Sequence, residues 1–84
     1  MTLADIPMFQ LAYVDAVDAF GANDPISRRL CELGFVVGEP VRVLAQGPVG
    51  REPLLVEVGH SRFGLRRIEA ARVRVVVLEE EHVE

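Results

Sequence analysis

A complete set of helix signals lies in one segment, residues 23–38, and it limits what the rest of the chain can become. The Asp24 carboxylate can cap the first turn by accepting hydrogen bonds from backbone N–H groups, and Pro25 follows where a missing N–H costs nothing. Gly34 suits a left-handed C-terminal cap. Three apolar residues share one face between these caps: Ile26, Leu30 and Leu33. The segment predicts one helix of about three turns that covers an end or a face of a small sheet.

The sequence after Gly38 alternates apolar and polar residues in a way that is typical of β-strands. The inward positions of the predicted strands share valine, leucine or phenylalanine: Val41 and Val43; Leu54, Val56 and Val58; Phe63 and Leu65; Val73, Val75 and Val77. Residues 47–53 are predicted to form a turn-rich loop, residues 59–61 a tight connection, and residues 66–71 a single helical turn.

The first part of the chain gives a mixed signal over residues 11–19. Val14 and Val17 are three positions apart, as in a helix, whereas Tyr13 and the valines favour a strand. A strand with a bulge reconciles the two patterns, because a bulge shifts the alternation by one residue. Upstream, Leu3 and Ile6 are predicted to anchor the N-terminal segment in the core. Five short strands with turn signals between them predict a mainly β fold, a small barrel.

The composition indicates one domain without a membrane anchor. The 84 residues leave room for a single core, and no stretch reaches the roughly 18 uncharged residues of a membrane span. No basic segment followed by an apolar run opens the chain, so we expect no signal peptide. The single cysteine, Cys31, cannot form an internal disulfide, which fits a reducing cytosol. We therefore expect a cytoplasmic protein.

The charge is acidic in total but unevenly distributed. The formal net charge is −4, and all nine basic residues are arginine. Five arginines accompany a single acidic residue, Glu69, in one stretch: Arg62, Arg66, Arg67, Arg72 and Arg74. The acidic tail, residues 79–84, either folds back and partly neutralises this surface or remains a solvated terminus.

A succession of residues across the chain resembles one family. These residues are Arg29-Leu30, Glu32-Leu33-Gly34-Phe35, Gly38, Val41, Val43, Pro48, Gly50, Pro53, Leu65-Arg66-Arg67 and Glu69-Ala70. Their order and spacing resemble the FeoA family, small cytoplasmic proteins of bacterial ferrous iron uptake. The resemblance covers most of the chain and predicts a FeoA-like domain over residues 1–78, followed by the acidic tail of residues 79–84.

The resemblance implies a five-stranded SH3-like barrel with one capping helix and a short helical turn. It also implies a non-enzymatic role beside FeoB, the membrane iron permease with a cytoplasmic GTP-binding domain. The protein would then be peripheral to the membrane through this partner, and a homo-oligomer is compatible with the same role. The same module forms the C-terminal domain of metal-dependent repressors of the DtxR type, but no winged-helix domain precedes it in this sequence. The stand-alone form is therefore the better match.

Two positions depart from the family pattern. Phe9 stands where the family often has a glycine, so the approach to the first strand is expected to be built differently. The loop of residues 50–53 is one residue longer than the commonest pattern, so contacts made by this loop do not transfer directly.

The candidate site residues are arginines and histidines. The exterior of the helix and the arginines of the later stretch are suited to a protein interface, so Arg28, Arg66 and Arg67 are predicted to bind a partner. His60 and His82 have no chelating spacing. Any zinc or ferrous ion is therefore expected to bind weakly and to bridge two molecules through these histidines or nearby carboxylates. Cys31 is interpreted as a small residue at the boundary of the buried helix face, and no catalytic group is predicted.

Two alternative functions remain open at this stage. Small barrels often bind nucleic acid, and the arginines cluster, but the acidic total charge opposes phosphate binding, so no nucleic-acid partner is predicted. A metal-sensing module related to the C-terminal domain of DtxR-type repressors would need a set of ligands that the sequence does not display.

Overall fold

The computed structural model describes residues 1–77 of the 84-residue chain. The strands within these residues are β1 Ala12–Val17, β2 Pro40–Val49, β3 Glu52–Val58, β4 Ser61–Leu65 and β5 Val73–Val77. The helices are α1 Pro25–Leu33 and α2 Arg67–Ala70. All five strands belong to one antiparallel sheet with the order β4-β3-β2-β1-β5. The mainly β architecture is therefore as predicted. Neither helix is long and apolar enough to cross a bilayer.

One core is shared by all five strands. The edge strands contribute Leu65 from β4 and Val73 from β5 to the same cluster of buried side chains as Val43 of the central strand, β2. The sheet must therefore curve around this cluster, because its two edges meet the same apolar interior. Leu3 and Ile6 also belong to the cluster, which confirms their predicted role as anchors.

Helix α1 begins and ends as the sequence predicts. Oδ1 of Asp24 accepts a hydrogen bond from the Ile26 N–H at 3.0 Å, and Pro25 occupies the first turn. The helix ends at Gly34, which has a φ of 113° and donates its N–H to the last turn. Leu30 is buried in the core, while Ile26 and Leu33 pack against its margin. The helix therefore closes one side of the core.

The predicted bulge in the first strand is confirmed. The pairing of β1 with β5 shifts register between Val14 and Ala16, so Asp15 is the extra residue and is exposed. Val14 on one side of the shift is buried, and Val17 on the other packs partly against the core. A shift of one residue explains why the spacing of these two valines resembles a helix.

The loop predicted over residues 47–53 is wrong in its extent. Strand β2 continues to Val49 and β3 starts at Glu52, so the turn consists of Gly50 and Arg51 alone. Both have positive φ, 62° and 60°, as the two-residue turns that match the twist of a hairpin require. A register shift after Gln46 accommodates Pro48 within the strand. Glycine and proline are common in loops, and here they mark an irregular strand instead.

The N-terminal segment covers part of the free edge of β5. The Leu3 N–H donates to the Val73 carbonyl at 3.0 Å, and the Val75 N–H donates to the Met1 carbonyl at 2.9 Å. The Phe9 N–H then donates to the Val43 carbonyl of β2 at 2.8 Å. The segment before β1 is thus attached to the sheet at both of its ends. The acidic tail and His82 lie outside the described residues.

Candidate partner-binding surface

Asp24 contacts two other parts of the chain besides starting α1. Its Oδ2 accepts a hydrogen bond from the Phe20 N–H at 2.8 Å and also pairs with the Arg72 guanidinium, which arrives from the segment between α2 and β5. The pair is almost fully buried, with 6% of the Asp24 side chain and 10% of the Arg72 side chain exposed. The hydrogen bond from Phe20, together with Arg72 and the Ile26 N–H, lowers the pKa of Asp24 against the opposing effect of burial. The ionised Asp24 carboxylate therefore joins the start of α1 to Phe20 and Arg72, and we call these three residues the Asp24 joint.

Phe20 is the exposed member of this joint. The Arg72 guanidinium carbon is 3.8 Å from the centroid of the Phe20 ring, a cation–π contact, yet 74% of the residue is exposed. Its backbone is fixed at the same time by the hydrogen bond to Asp24. The result is an exposed aromatic ring that is held in a defined position.

A second ion pair links the two helices. Nη1 of Arg29 in α1 lies 3.7 Å from Oε2 of Glu69 in α2. Together with the Asp24–Arg72 pair, it connects α1 to the segment of residues 66–72 that contains α2. The exposed side chains of this region form what we call the α1/α2 surface: Phe20, Arg28, Arg29, Arg66 and Ile68.

Arg28 and Arg66 are the cations of the α1/α2 surface that remain available. Both are exposed, and within residues 1–77 neither has a carboxylate within 4.0 Å of its guanidinium. Ile68, two residues after Arg66 in the sequence, is also exposed. Exposed apolar side chains and unpaired arginines are both groups that protein interfaces favour.

Arg67, which the sequence groups with Arg66, is placed differently. It is half-buried, and its Nη2 donates to the Ala4 carbonyl at 3.1 Å. Its backbone N–H donates to Oε2 of Glu52 at 2.6 Å. Arg67 therefore ties α2 to the N-terminal segment and to the β2–β3 hairpin.

The other arginines of the later stretch are paired on the sheet. Arg62 and Arg42 flank Glu57 on adjacent strands, each with a nitrogen 3.5 Å from one of its oxygens. Nε of Arg74 lies 2.9 Å from Oδ2 of Asp18 and 3.0 Å from Oδ1. The arginines that cluster in the sequence therefore lie in separate places: around α2, on β4 and on β5.

His60 is exposed in the two-residue turn between β3 and β4. The Glu39 carboxylate lies beside that turn, because a Cβ atom added to Gly59 would be 3.2 Å from its Oε2. Within residues 1–77 no group of three His, Cys, Asp or Glu side chains is arranged to hold a metal ion. Cys31 is exposed on α1 rather than at the edge of its buried face.

Sequence reasoning missed Phe20 and the burial of Arg72. Phe20 precedes the helix in what reads as a turn, so its exposed ring carries no pattern. Arg72 precedes a strand whose alternation places valines inward, which predicts an outward arginine. No local signal in the sequence connects Arg72 with Asp24, which lies 48 residues away.

The strand order and the helix-closed core define a small, mainly β domain of the SH3-like class. A family model described as FeoA domain matches residues 1–77. A FeoA from Stenotrophomonas maltophilia, solved in complex with zinc, is 58% identical, with a TM-score of 0.82 over 90% of this chain and 89% of that one. A FeoA from Chlorobium tepidum is 30% identical, with a TM-score of 0.80 over 98% of this chain and 74% of that one.

The chain belongs to the FeoA family, and the recognition made from the sequence is confirmed. It is accordingly a non-enzymatic accessory protein of ferrous iron transport, linked to the Feo system. A manganese-dependent transcriptional repressor shares the fold at 19% identity, with a TM-score of 0.77 over 93% of this chain and 41% of the repressor. Comparison with curated protein sequences finds no match.

Proposed function

We propose that this protein acts in the cytoplasm by docking on the FeoB permease through the α1/α2 surface. The observation that supports this proposal is the pair of exposed arginines, Arg28 in α1 and Arg66 at the N-cap of α2, in two segments that ion pairs connect. Docking would make the protein peripheral to the membrane through its partner.

The chemistry of the surface indicates the kind of contact. A guanidinium group can form two parallel hydrogen bonds with a carboxylate, and its stem packs on apolar surface, so arginine is favoured at interfaces. Phe20 and Ile68 add exposed apolar area on the same surface. A complementary site on FeoB would therefore combine carboxylates with apolar side chains. Arg67 supports this surface by holding α2 against the N-terminal segment.

Binding of purified FeoB in detergent micelles tests the proposal. We expect wild-type protein to bind, and Arg28→Glu and Arg66→Glu each to weaken binding by about tenfold or more, because a reversed charge repels the carboxylates of the partner. Arg51→Asp is the control for the change of charge, since Arg51 is also exposed and lies in the β2–β3 turn rather than on either helix.

The outcomes separate the assignments. Loss of binding by both helix variants, with Arg51→Asp unaffected, supports the α1/α2 surface. Normal FeoB binding and normal iron uptake by a correctly folded Arg28→Glu/Arg66→Glu variant would refute it. Titration with a generic DNA duplex at several salt concentrations tests the nucleic-acid alternative. Binding with a steep salt dependence would favour the nucleic-acid alternative instead.

We further propose that a divalent ion such as zinc binds weakly and bridges two copies of the chain. A FeoA at 58% identity was crystallised with zinc, and His60 offers an exposed imidazole in a turn whose other residue, Gly59, lies beside the Glu39 carboxylate. Zinc needs about four ligands, and one molecule supplies too few of them within residues 1–77. His82 and ligands from a second copy would complete the shell.

A further inference from the structure

Met8 and Phe9 form an exposed apolar turn before β1. Phe9 has a φ of 69°, in the left-handed region, and 63% of the residue is exposed. Met8 beside it is 45% exposed. A bulky residue rarely adopts a positive φ, because its Cβ approaches the neighbouring backbone, whereas glycine and asparagine adopt it more easily.

The fold requires the backbone conformation at this position but does not require the aromatic ring. The Phe9 N–H donates to the Val43 carbonyl at 2.8 Å, which fixes the turn against β2 whatever side chain is present. The ring is absent from the cluster of buried side chains and from the hydrophobic residues packed against it. Phe9 therefore combines a strained backbone conformation with an exposed ring that contributes little to the core. Strained residues of this kind are common at functional sites.

We propose that Phe9, with Met8 beside it, is a second docking anchor that fills an apolar pocket on the protein partner. This inference rests on the proposed function, because FeoB is the partner to which it applies. An aromatic ring on a fixed backbone loses little conformational freedom when it binds, and methionine adapts to irregular pockets.

A protein pocket suits this turn better than a membrane surface. Residues 1–11 contain one charged side chain, Asp5, and no arginine, so an anionic bilayer does not attract the segment. The turn also keeps a defined relation to the α1/α2 surface, because Arg67 of α2 donates to the Ala4 carbonyl in the same segment. The turn and α2 are thus joined through the N-terminal segment.

The test separates stability from binding. Asparagine tolerates a positive φ, so Phe9→Asn should leave Tm within about 2 °C of wild type or raise it. The same variant should bind FeoB at least about tenfold more weakly, because an interface anchor is lost. Phe9→Tyr keeps the ring and should bind within about threefold of wild type. Arg51→Asn is the matched control, since Arg51 also has a positive φ, 60°, and its affinity for FeoB should not change.

Each other result overturns the inference. A Tm lowered by more than about 4 °C in Phe9→Asn would show that the ring supports the fold. Unchanged affinity of Phe9→Asn, with Arg28→Glu still weakened, would remove this anchor and leave the proposed function intact. Binding to phosphatidylglycerol vesicles that depends on Phe9 would make the turn a membrane contact. Failure of the wild-type protein to bind FeoB would instead overturn the proposed function, and this inference with it.

Discussion

The guanidinium of Arg72 pairs with the carboxylate of Asp24, the residue that caps α1. The pair joins the start of the helix to the chain just before β5. Phe20 contacts both members of the pair: its backbone N–H donates to Asp24, and its ring lies against the Arg72 guanidinium. Because both charged groups are almost fully buried, removing one leaves the other without a partner in a site of low polarity. The helix and the α1/α2 surface therefore depend on a contact between residues far apart in sequence.

Replacing Asp24 by asparagine should lower the stability of the protein by an amount that depends on pH. We expect Asp24→Asn to lower Tm by roughly 4–8 °C near neutral pH, because Arg72 loses its buried partner. The Phe20 N–H, Arg72 and the Ile26 N–H hold the pKa of Asp24 below its ordinary value of 3.8. A lowered pKa adds stability that is complete above that value and is lost as the pH falls through the lower pKa of the folded protein. The difference between the two proteins should therefore shrink in acid.

Thermal melts followed by circular dichroism across the acidic range measure this difference. Arg74→Gln is a suitable control, because the Asp18–Arg74 pair is exposed, and its removal should change Tm only slightly. A gap between wild type and Asp24→Asn that stays constant down to strongly acidic pH would contradict the role of the ionised carboxylate.

Gly47 is expected to be the glycine that tolerates substitution least. A Cβ atom there would lie 1.9 Å from the Glu52 carbonyl oxygen, which is backbone and cannot move aside cheaply. Gly47→Ala should therefore unfold the hairpin or lower Tm by more than about 10 °C. Gly64→Ala is the control within the same sheet, since its Cβ would meet only Pro53 Cβ at 3.7 Å, an ordinary contact. Similar melting temperatures for the two variants would contradict the close approach of the strands.

Two neighbouring residues of α1 should differ strongly in how much their truncation destabilises the protein. Leu30 is 2% exposed and belongs to the core, so Leu30→Ala should reduce the free energy of unfolding by about 2–5 kcal/mol. Cys31 is exposed, so Cys31→Ala should change it by no more than about 0.5 kcal/mol. Urea unfolding of both variants tests the orientation of the helix. A large loss in Cys31→Ala would mean that α1 is rotated on the core.

The sequence predicts elements whose signals are local. Asp24, Pro25 and Gly34 mark the ends of α1 because capping and left-handed geometry restrict the residue types at those positions. The bulge of β1 follows from the spacing of Val14 and Val17. The extent of the β2–β3 hairpin was mispredicted because Pro48 lies in an irregular strand, where its missing N–H is accommodated by a register shift. That shift depends on pairing with β3, which no local pattern encodes.

The candidate surface could be predicted only in part, for the same reason. Arg28 and Arg66 are exposed, as their positions in the sequence indicate. The separation of Arg66 from Arg67 requires knowledge of the tertiary fold, because only the packed N-terminal segment supplies the Ala4 carbonyl that Arg67 contacts. Phe9 likewise combines a left-handed φ with a hydrogen bond to β2, a tertiary contact that no local pattern predicts.

Arg66 and Arg67 should therefore behave differently although they are adjacent. Arg67→Gln loses a charged donor to the Ala4 carbonyl and should reduce the free energy of unfolding by about 1 kcal/mol. Arg66→Gln removes an exposed side chain and should change it by no more than about 0.5 kcal/mol while weakening FeoB binding. Unfolding curves and binding isotherms of both variants measure this contrast. Arg67→Gln with unchanged stability but weaker FeoB binding would instead make Arg67 a direct contact.

Zinc should change the oligomeric state of the protein through its histidines. We expect light scattering with size-exclusion chromatography to show a zinc-dependent dimer that chelator reverses, because ligands from two copies are needed to complete a tetrahedral shell. His60→Ala, His82→Ala or the double variant should weaken or abolish it. Cys31→Ala is the informative control: a thiolate is also a good zinc ligand, and the exposed Cys31 could hold the ion in place of the imidazoles. Loss of the dimer in Cys31→Ala alone, or a tight equimolar site in the monomer that survives both histidine substitutions, would show that zinc binds elsewhere.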